Sequence, residues 1–186
     1  MNGRLRDTLV EMITNGLRET ADAHAAQVRL DELGTARSTD AVAERAELLR
    51  VLGRLDEAFA TAEESYRLAF FTGDRELVTE ARLRRARVLQ DQGKLDRALT
   101  EVKASLLTAR TESWGEVEAS AIFQQASILV DLGKLEDARV AISELIQLRV
   151  TQHAPPEQLA ALNGMLESVM RRMLTDPTAP GGANAS

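Results

Sequence analysis

The sequence predicts an all-α chain of antiparallel helical hairpins stacked on a 40-residue repeat. Three observations carry this. First, the segments LLRVLGRLDEA (48–58), VLQDQGKLDRA (88–98) and ILVDLGKLEDA (128–138) align without a gap. Second, Gly34, Gly53, Gly73, Gly93, Gly115 and Gly133 mark evenly spaced junctions, two to each repeat. Third, all four prolines lie at or beyond Pro155, so nothing upstream breaks a helix. Internal repetition of this kind is the signature of a stack in which each unit buries its apolar face against the next.

The repeating columns each have a physical reason. Ala46, Ala86 and Ala126, with Ala58, Ala98 and Ala138, are small positions where two helices can approach closely. Leu49, Leu89 and Leu129, with Leu55, Leu95 and Leu135, fill the space between those helices. Gly53, Gly93 and Gly133 sit where a left-handed residue closes the first helix of each hairpin. Asp56, Glu57, Asp96, Glu136 and Asp137 then fall in the first turn of the next helix, where the helix dipole favours anions.

In chain order, residues 4–33 read as a degenerate first hairpin, because Gly16 and Ala21 keep the glycine-to-alanine spacing of the clear repeats. The repeats proper span 39–72, 74–112 and 114–152. Their second helices carry apolar residues at helical spacing: Leu55, Ala58, Phe59, Ala62, Tyr66, Ala69 and Phe70 in the first, and Leu95, Ala98, Leu99, Val102, Leu106 and Ala109 in the second. The third has Leu135, Ala138, Ile142, Leu145 and Ile146, with Arg139 at an otherwise apolar place. Asp74 is placed to cap one helix, and Ser113-Trp-Gly-Glu116 reads as a capping box opening another. A ninth, unpaired helix is expected over 156–174, and the tail 175–186 is expected to be disordered. The whole of 1–174 reads as one domain.

Composition narrows the function. There is no cysteine, and His24 and His153 lie in different segments with no partner at metal or triad spacing, so neither a metal site nor a cofactor is expected. The net charge of -6 argues against nucleic-acid binding. The four arginines of RLRRAR (82–87) spread around a helix axis, with Glu76, Glu80 and Asp91 near enough to neutralise them. Arg45, Arg85 and Gln125 form a polar column on the repeat step, read either as a ladder of partly buried polar groups or, preferred, as side chains that reach solvent past their apolar stems. The start of the chain is charged throughout and no run of about 18 apolar residues occurs, so no membrane span and a cytoplasmic location are expected. Carboxylates are numerous, but nothing marks a pocket that would tune them for acid–base catalysis, so an enzyme is not the expectation.

The small residue, Leu, Gly and Ala at these offsets resemble the tetratricopeptide repeat: Ala46, Leu49, Gly53 and Ala58, with their copies. The resemblance covers about residues 39–152, with a period longer than that family's usual one and without its closing proline. It implies a right-handed superhelix of about nine helices whose concave face is lined by the first helix of each hairpin. Groove positions carried over fall on Ala43, Glu44, Glu47, Leu83, Arg84, Arg87, Phe123, Gln124, Ser127, Asn163, Gly164 and Glu167. The Lys and Asn set that grips the C-terminal carboxylate of heat-shock chaperones in some members is absent. Leu83, Arg84, Arg87, Phe123, Gln124 and Ser127 make the candidate central patch, apolar at its floor and polar at its walls. Glu44, Glu47 and Glu80 are expected to match the charge of Arg84 and Arg87.

These residues lead to a non-enzymatic adaptor or sensor that binds a protein or peptide in its groove. The alternative is a structural subunit docking through its terminal helices. The last helix has Leu159, Leu162, Met165, Leu166, Val169, Met170, Met173 and Leu174 over half its circumference, and Leu5, Leu9, Val10, Met12 and Ile13 make the first similar. Met165, Met170, Met173 and Leu174 are therefore the candidate contacts of a homodimer.

Overall fold

A computed structural model gives the fold, and the described residues are 19–175. They form eight helices: α1 Glu19–Leu33, α2 Thr39–Val51, α3 Leu55–Thr72, α4 Arg75–Asp91, α5 Leu95–Glu112, α6 Gly115–Asp131, α7 Leu135–Thr151 and α8 Pro156–Thr175. No strand occurs among the described residues. The three repeats coincide with the pairs α2–α3, α4–α5 and α6–α7. The expected helix around Leu5 to Ile13, and the tail after residue 175, lie outside the described residues.

The hairpin turns follow directly from the glycine column. Gly53, Gly93 and Gly133 have φ of 70°, 73° and 70°, a left-handed conformation that costs a side chain with a Cβ. That conformation lets the next amide fold back on the helix just ended. Arg54 N donates to Leu49 O at 2.9 Å, and Lys94 N and Lys134 N donate to Leu89 O and Leu129 O at 2.8 Å. The leucine column therefore packs the core through its side chain and closes the turn through its carbonyl. At the other ends, Ser38 Oγ accepts from Ala41 N at 3.2 Å, and Asp74 Oδ1 accepts from Glu76 N and Leu77 N at 2.9 and 3.1 Å.

One cap differs from the sequence reading. Ser113 does not open α6; it ends α5, with φ of 59° and its amide donating to Arg110 O at 3.2 Å. An N-cap needs extended backbone, which a left-handed residue does not have. Ser113 stands one repeat step after Gly73, and His153 one further step on, also left-handed at φ 56°. The fold thus demands a left-handed residue at all three places, and only Gly73 meets it without strain. Replacing Ser113 or His153 by glycine is expected to stabilise the chain by about 0.5–1 kcal/mol each, the strain relieved less the extra freedom glycine has when unfolded. Thermal melting followed by circular dichroism checks this, and an unchanged or lowered midpoint in both variants contradicts it.

Packing divides the chain between residues 121 and 122, inside α6, into two compact units. In the first, each of α2 to α4 packs on both of its chain neighbours, and α2 also meets α4. Ala46, Ala58, Ala62 and Val88 are fully buried at its centre with Leu49, and Leu30 and Phe59 pack against them. Ala86 and Ala98 are equally inaccessible, so both alanine columns are contact points between helices. In the second unit α8 packs on α7. Ala138, Ile142 and Leu145 on α7 are fully buried, and Leu162 and Val169 are the buried residues of α8.

The candidate dimer contacts all lie on α8. Met170 and Leu174 are 48% and 88% exposed, whereas Met165 and Met173 are half-buried. No helix among the described residues is long and apolar enough to cross a membrane.

Candidate binding face

Helices α2 and α4 open successive hairpins and meet each other, which brings charged residues from both into one group. Arg50 is its hub. It donates to Glu47 Oε1 one turn back at 2.6 Å and to Asp91 Oδ2 on α4 at 2.7 Å. Arg87 Nη1 lies 3.8 Å from Glu47 Oε2, a long contact, and that oxygen is buried with no hydrogen-bond partner. Burial pushes the Glu47 carboxyl up, but Arg87 and Arg50 outweigh it and hold it at about 2. Ionised Glu47 therefore stabilises the fold above its ordinary 4.5, and this contribution is lost as pH falls from there towards 2.

Arg84, one turn before Arg87, has different surroundings. Its Nη1 donates to the hydroxyl of Ser65 on α3 at 3.1 Å, and Ser65 is buried. Among the described residues no carboxylate lies within ion-pair distance of it. Burial holds its guanidinium below its usual range, and Arg87 acts in the same direction against Glu47, Glu80 and Asp40. The carboxylates expected to match it are elsewhere. Glu44 is taken by Arg29 of α1, with contacts of 2.6 and 3.2 Å. Glu80 is not paired with Arg84, and burial pushes its carboxyl up despite Arg84 and Arg87.

The other two arginines of the 82–87 run face α3 and α5 and are structural. Arg85 Nη1 and Nη2 donate to Glu63 Oε1 and Glu101 Oε1 at 2.6 and 2.7 Å, so it ties three helices together. Its guanidinium lies over the Tyr66 ring at 4.5 Å, with Arg82 near the same ring at 5.9 Å. Arg45, its counterpart one repeat earlier, donates to the carbonyls of Gly34 and Ala36 at 2.7 and 2.9 Å and holds the turn after α1. These two column members are tethered to protein and do not simply reach into solvent.

The six candidate groove residues divide between the units. In the first, Arg84 and Arg87 are partly exposed, and Leu83 is 2% exposed and offers no surface. In the second, Phe123 and Ser127 are half-buried and Gln124 is 2% exposed. Arg50 and Ser65 were not singled out by sequence, and Asp91 was read only as a neutraliser of the arginine run. The repeat itself held the signal for the Arg50–Asp91 pair, since the two residues stand almost one repeat step from each other.

An open concavity of about 610 Å³ lies among α1, α2 and α3. Its charges are already engaged: Arg45 holds two carbonyls, and Arg54 pairs with Glu57 at 2.6 Å. No cluster of three or more His, Asp or Glu that could hold a metal occurs among the described residues.

No protein-family model matches the chain, and no curated protein matches it. The likeness to tetratricopeptide repeats therefore stands on the repeated residues themselves.

Proposed function

We propose that the chain is a non-enzymatic module that binds a protein or peptide segment along the side formed by the first helices of its hairpins. In this reading the repeats continue into a right-handed superhelix of the tetratricopeptide kind, and that side is its concave face. The carrying observation is the placement of charge. Glu47, Arg50, Arg84 and Arg87 gather where α2 and α4 meet, only partly exposed, on helices whose remaining faces pack through alanine and leucine. Half-shielded charge on a rigid surface is suited to oriented polar contacts with an extended partner.

A second reading has its own observation. Met170 and Leu174 leave apolar surface on α8, which suits docking to a second copy or a larger assembly. Site-specific photo-cross-linking separates the two. A cross-linker at Ala43 or Arg87 is expected to capture partner protein, and one at Met170 is not. Cross-links confined to Met170, with light scattering giving the mass of two chains, would replace the groove reading with the docking one.

A further inference from the structure

We infer that α8 docks against α8 of a second copy of the chain, antiparallel, about a two-fold axis at Gly164. This rests on the docking reading of α8, whose occupant it names, and makes no use of the arginines of α2 and α4.

Gly164 stands in the middle of α8 and is exposed, although glycine is the least favourable helix residue after proline. Nothing within the described residues calls for it. A Cβ added there would meet no atom within 4 Å, so no neighbouring helix excludes a side chain. A glycine at such a place admits the close approach of a second backbone from outside.

Charge sets what approaches. Glu157 and Arg171 each stand seven residues from Gly164. Seven residues make about two helical turns, so the three lie in one row along α8. Both charged residues are exposed, and neither makes an ion pair among the described residues. A two-fold axis at the glycine sets each copy's Glu157 on the other copy's Arg171, which matches all four charges. A parallel pair would set like against like. The antiparallel order also opposes the two helix dipoles favourably. The row is thus complementary to itself, as an isologous pair of identical chains requires.

The apolar surface of α8 fits the same arrangement. Leu174 is 88% exposed and stands ten residues beyond Gly164. Ten residues before the glycine is Ala154, followed by Pro155 and Pro156. The axis therefore brings Leu174 to the apolar entry of the second copy's α8, with Met170 on the flank. Leu162 and Val169, the buried residues of α8, lie on the other side of the helix and keep their packing. One helix against one helix is at the small end of specific interfaces, so the association is weak and reversible.

Sedimentation equilibrium of the full chain, from about 1 to 100 μM, tests this. The mass is expected to rise towards that of two chains. Gly164→Leu is expected to weaken dimerisation about tenfold without lowering the melting midpoint of the dilute monomer, because leucine favours the helix and its space is empty. Glu157→Arg and Arg171→Glu are each expected to weaken it about tenfold, since each turns two attractions into two repulsions. The double variant is expected to restore it. That variant carries both unfavourable helix-end charges, so its recovery cannot come from a firmer fold. A chain that stays monomeric throughout, a dimer indifferent to Gly164→Leu, or single variants that the double does not rescue overturns the inference. A photo-cross-linker at Ser168 is expected to join two copies near Ala160. Its linkage to a different protein in place of a second copy rejects this occupant and keeps the docking face, whereas linkage to residues 1–18 of the same chain rejects both.

Discussion

Ala98→Glu is expected to destabilise the chain by about 3–5 kcal/mol, the cost of forcing an unpaired charge into a sealed interior. Ala98 stands at the start of α5 with no accessible surface, where α5 packs against α4. It is one of the alanines whose small size sets how closely two helices approach. A glutamate there has no room within the interface. For a chain of this length the loss corresponds to a fall in melting midpoint of about 10 °C or more. Arg97, the preceding residue, is exposed, and Arg97→Glu is the control. It places the same side chain on the same turn, where the helix dipole tolerates an anion. Equal melting of the two variants would mean that the alanine column does not mark a helix contact.

The alanine, leucine and glycine columns were legible in the sequence because each answers to a single local demand. A contact between close helices admits only a small residue, and a left-handed turn favours glycine. Such demands repeat with the fold and leave the same letter at each repeat step. Ser113 and His153 show where this fails. The left-handed demand is present at both, but the chain meets it with strained residues, so the letter is absent and Ser113 reads as a helix start. Arg149 is a similar case. It is 5% exposed at the place held by Ala69 and Ala109 in the preceding repeats, and its Nη1 donates to Gln152 Oε1 at 2.8 Å.

Charge pairing was less legible for a different reason. A long side chain can reach several partners, and the choice among them depends on all the others. Glu44 stands one turn from Glu47 and was expected to serve α4, yet Arg29 on the preceding helix takes it. That leaves Arg84 with a hydroxyl. No reading of spacing along α4 alone could show this, because the competitor lies on α1. Arg84 and Arg87 were thus visible in the sequence, whereas Arg50, Ser65 and the hydroxyl partner of Arg84 required the packed structure.

Arg85→Met is expected to cost about 2 kcal/mol, less than the loss of one partner from a fully buried ion pair and more than that from an exposed one. This is the second-largest effect among these substitutions. The arginine side chain is 14% exposed and bridges Glu63 on α3 to Glu101 on α5, while its flat guanidinium covers the Tyr66 ring. Methionine keeps most of the apolar stem and removes the charge, taking from Glu63 its arginine and leaving Glu101 with Arg82 at 3.5 Å. Breaking a fully buried pair costs about 3–5 kcal/mol, but Glu63 is 37% exposed and Glu101 26%, so water screens part of the loss. Urea denaturation of Arg85→Met, Glu101→Gln and the double variant measures it as a coupling. About 1 kcal/mol is expected between Arg85 and Glu101, because their contact is one hydrogen-bonded ion pair among several. A coupling near zero, with Arg85→Met as stable as the parent, would show that alanine and leucine packing alone joins these three helices. The 82–87 run would then owe Arg82 and Arg85 to something other than the stack.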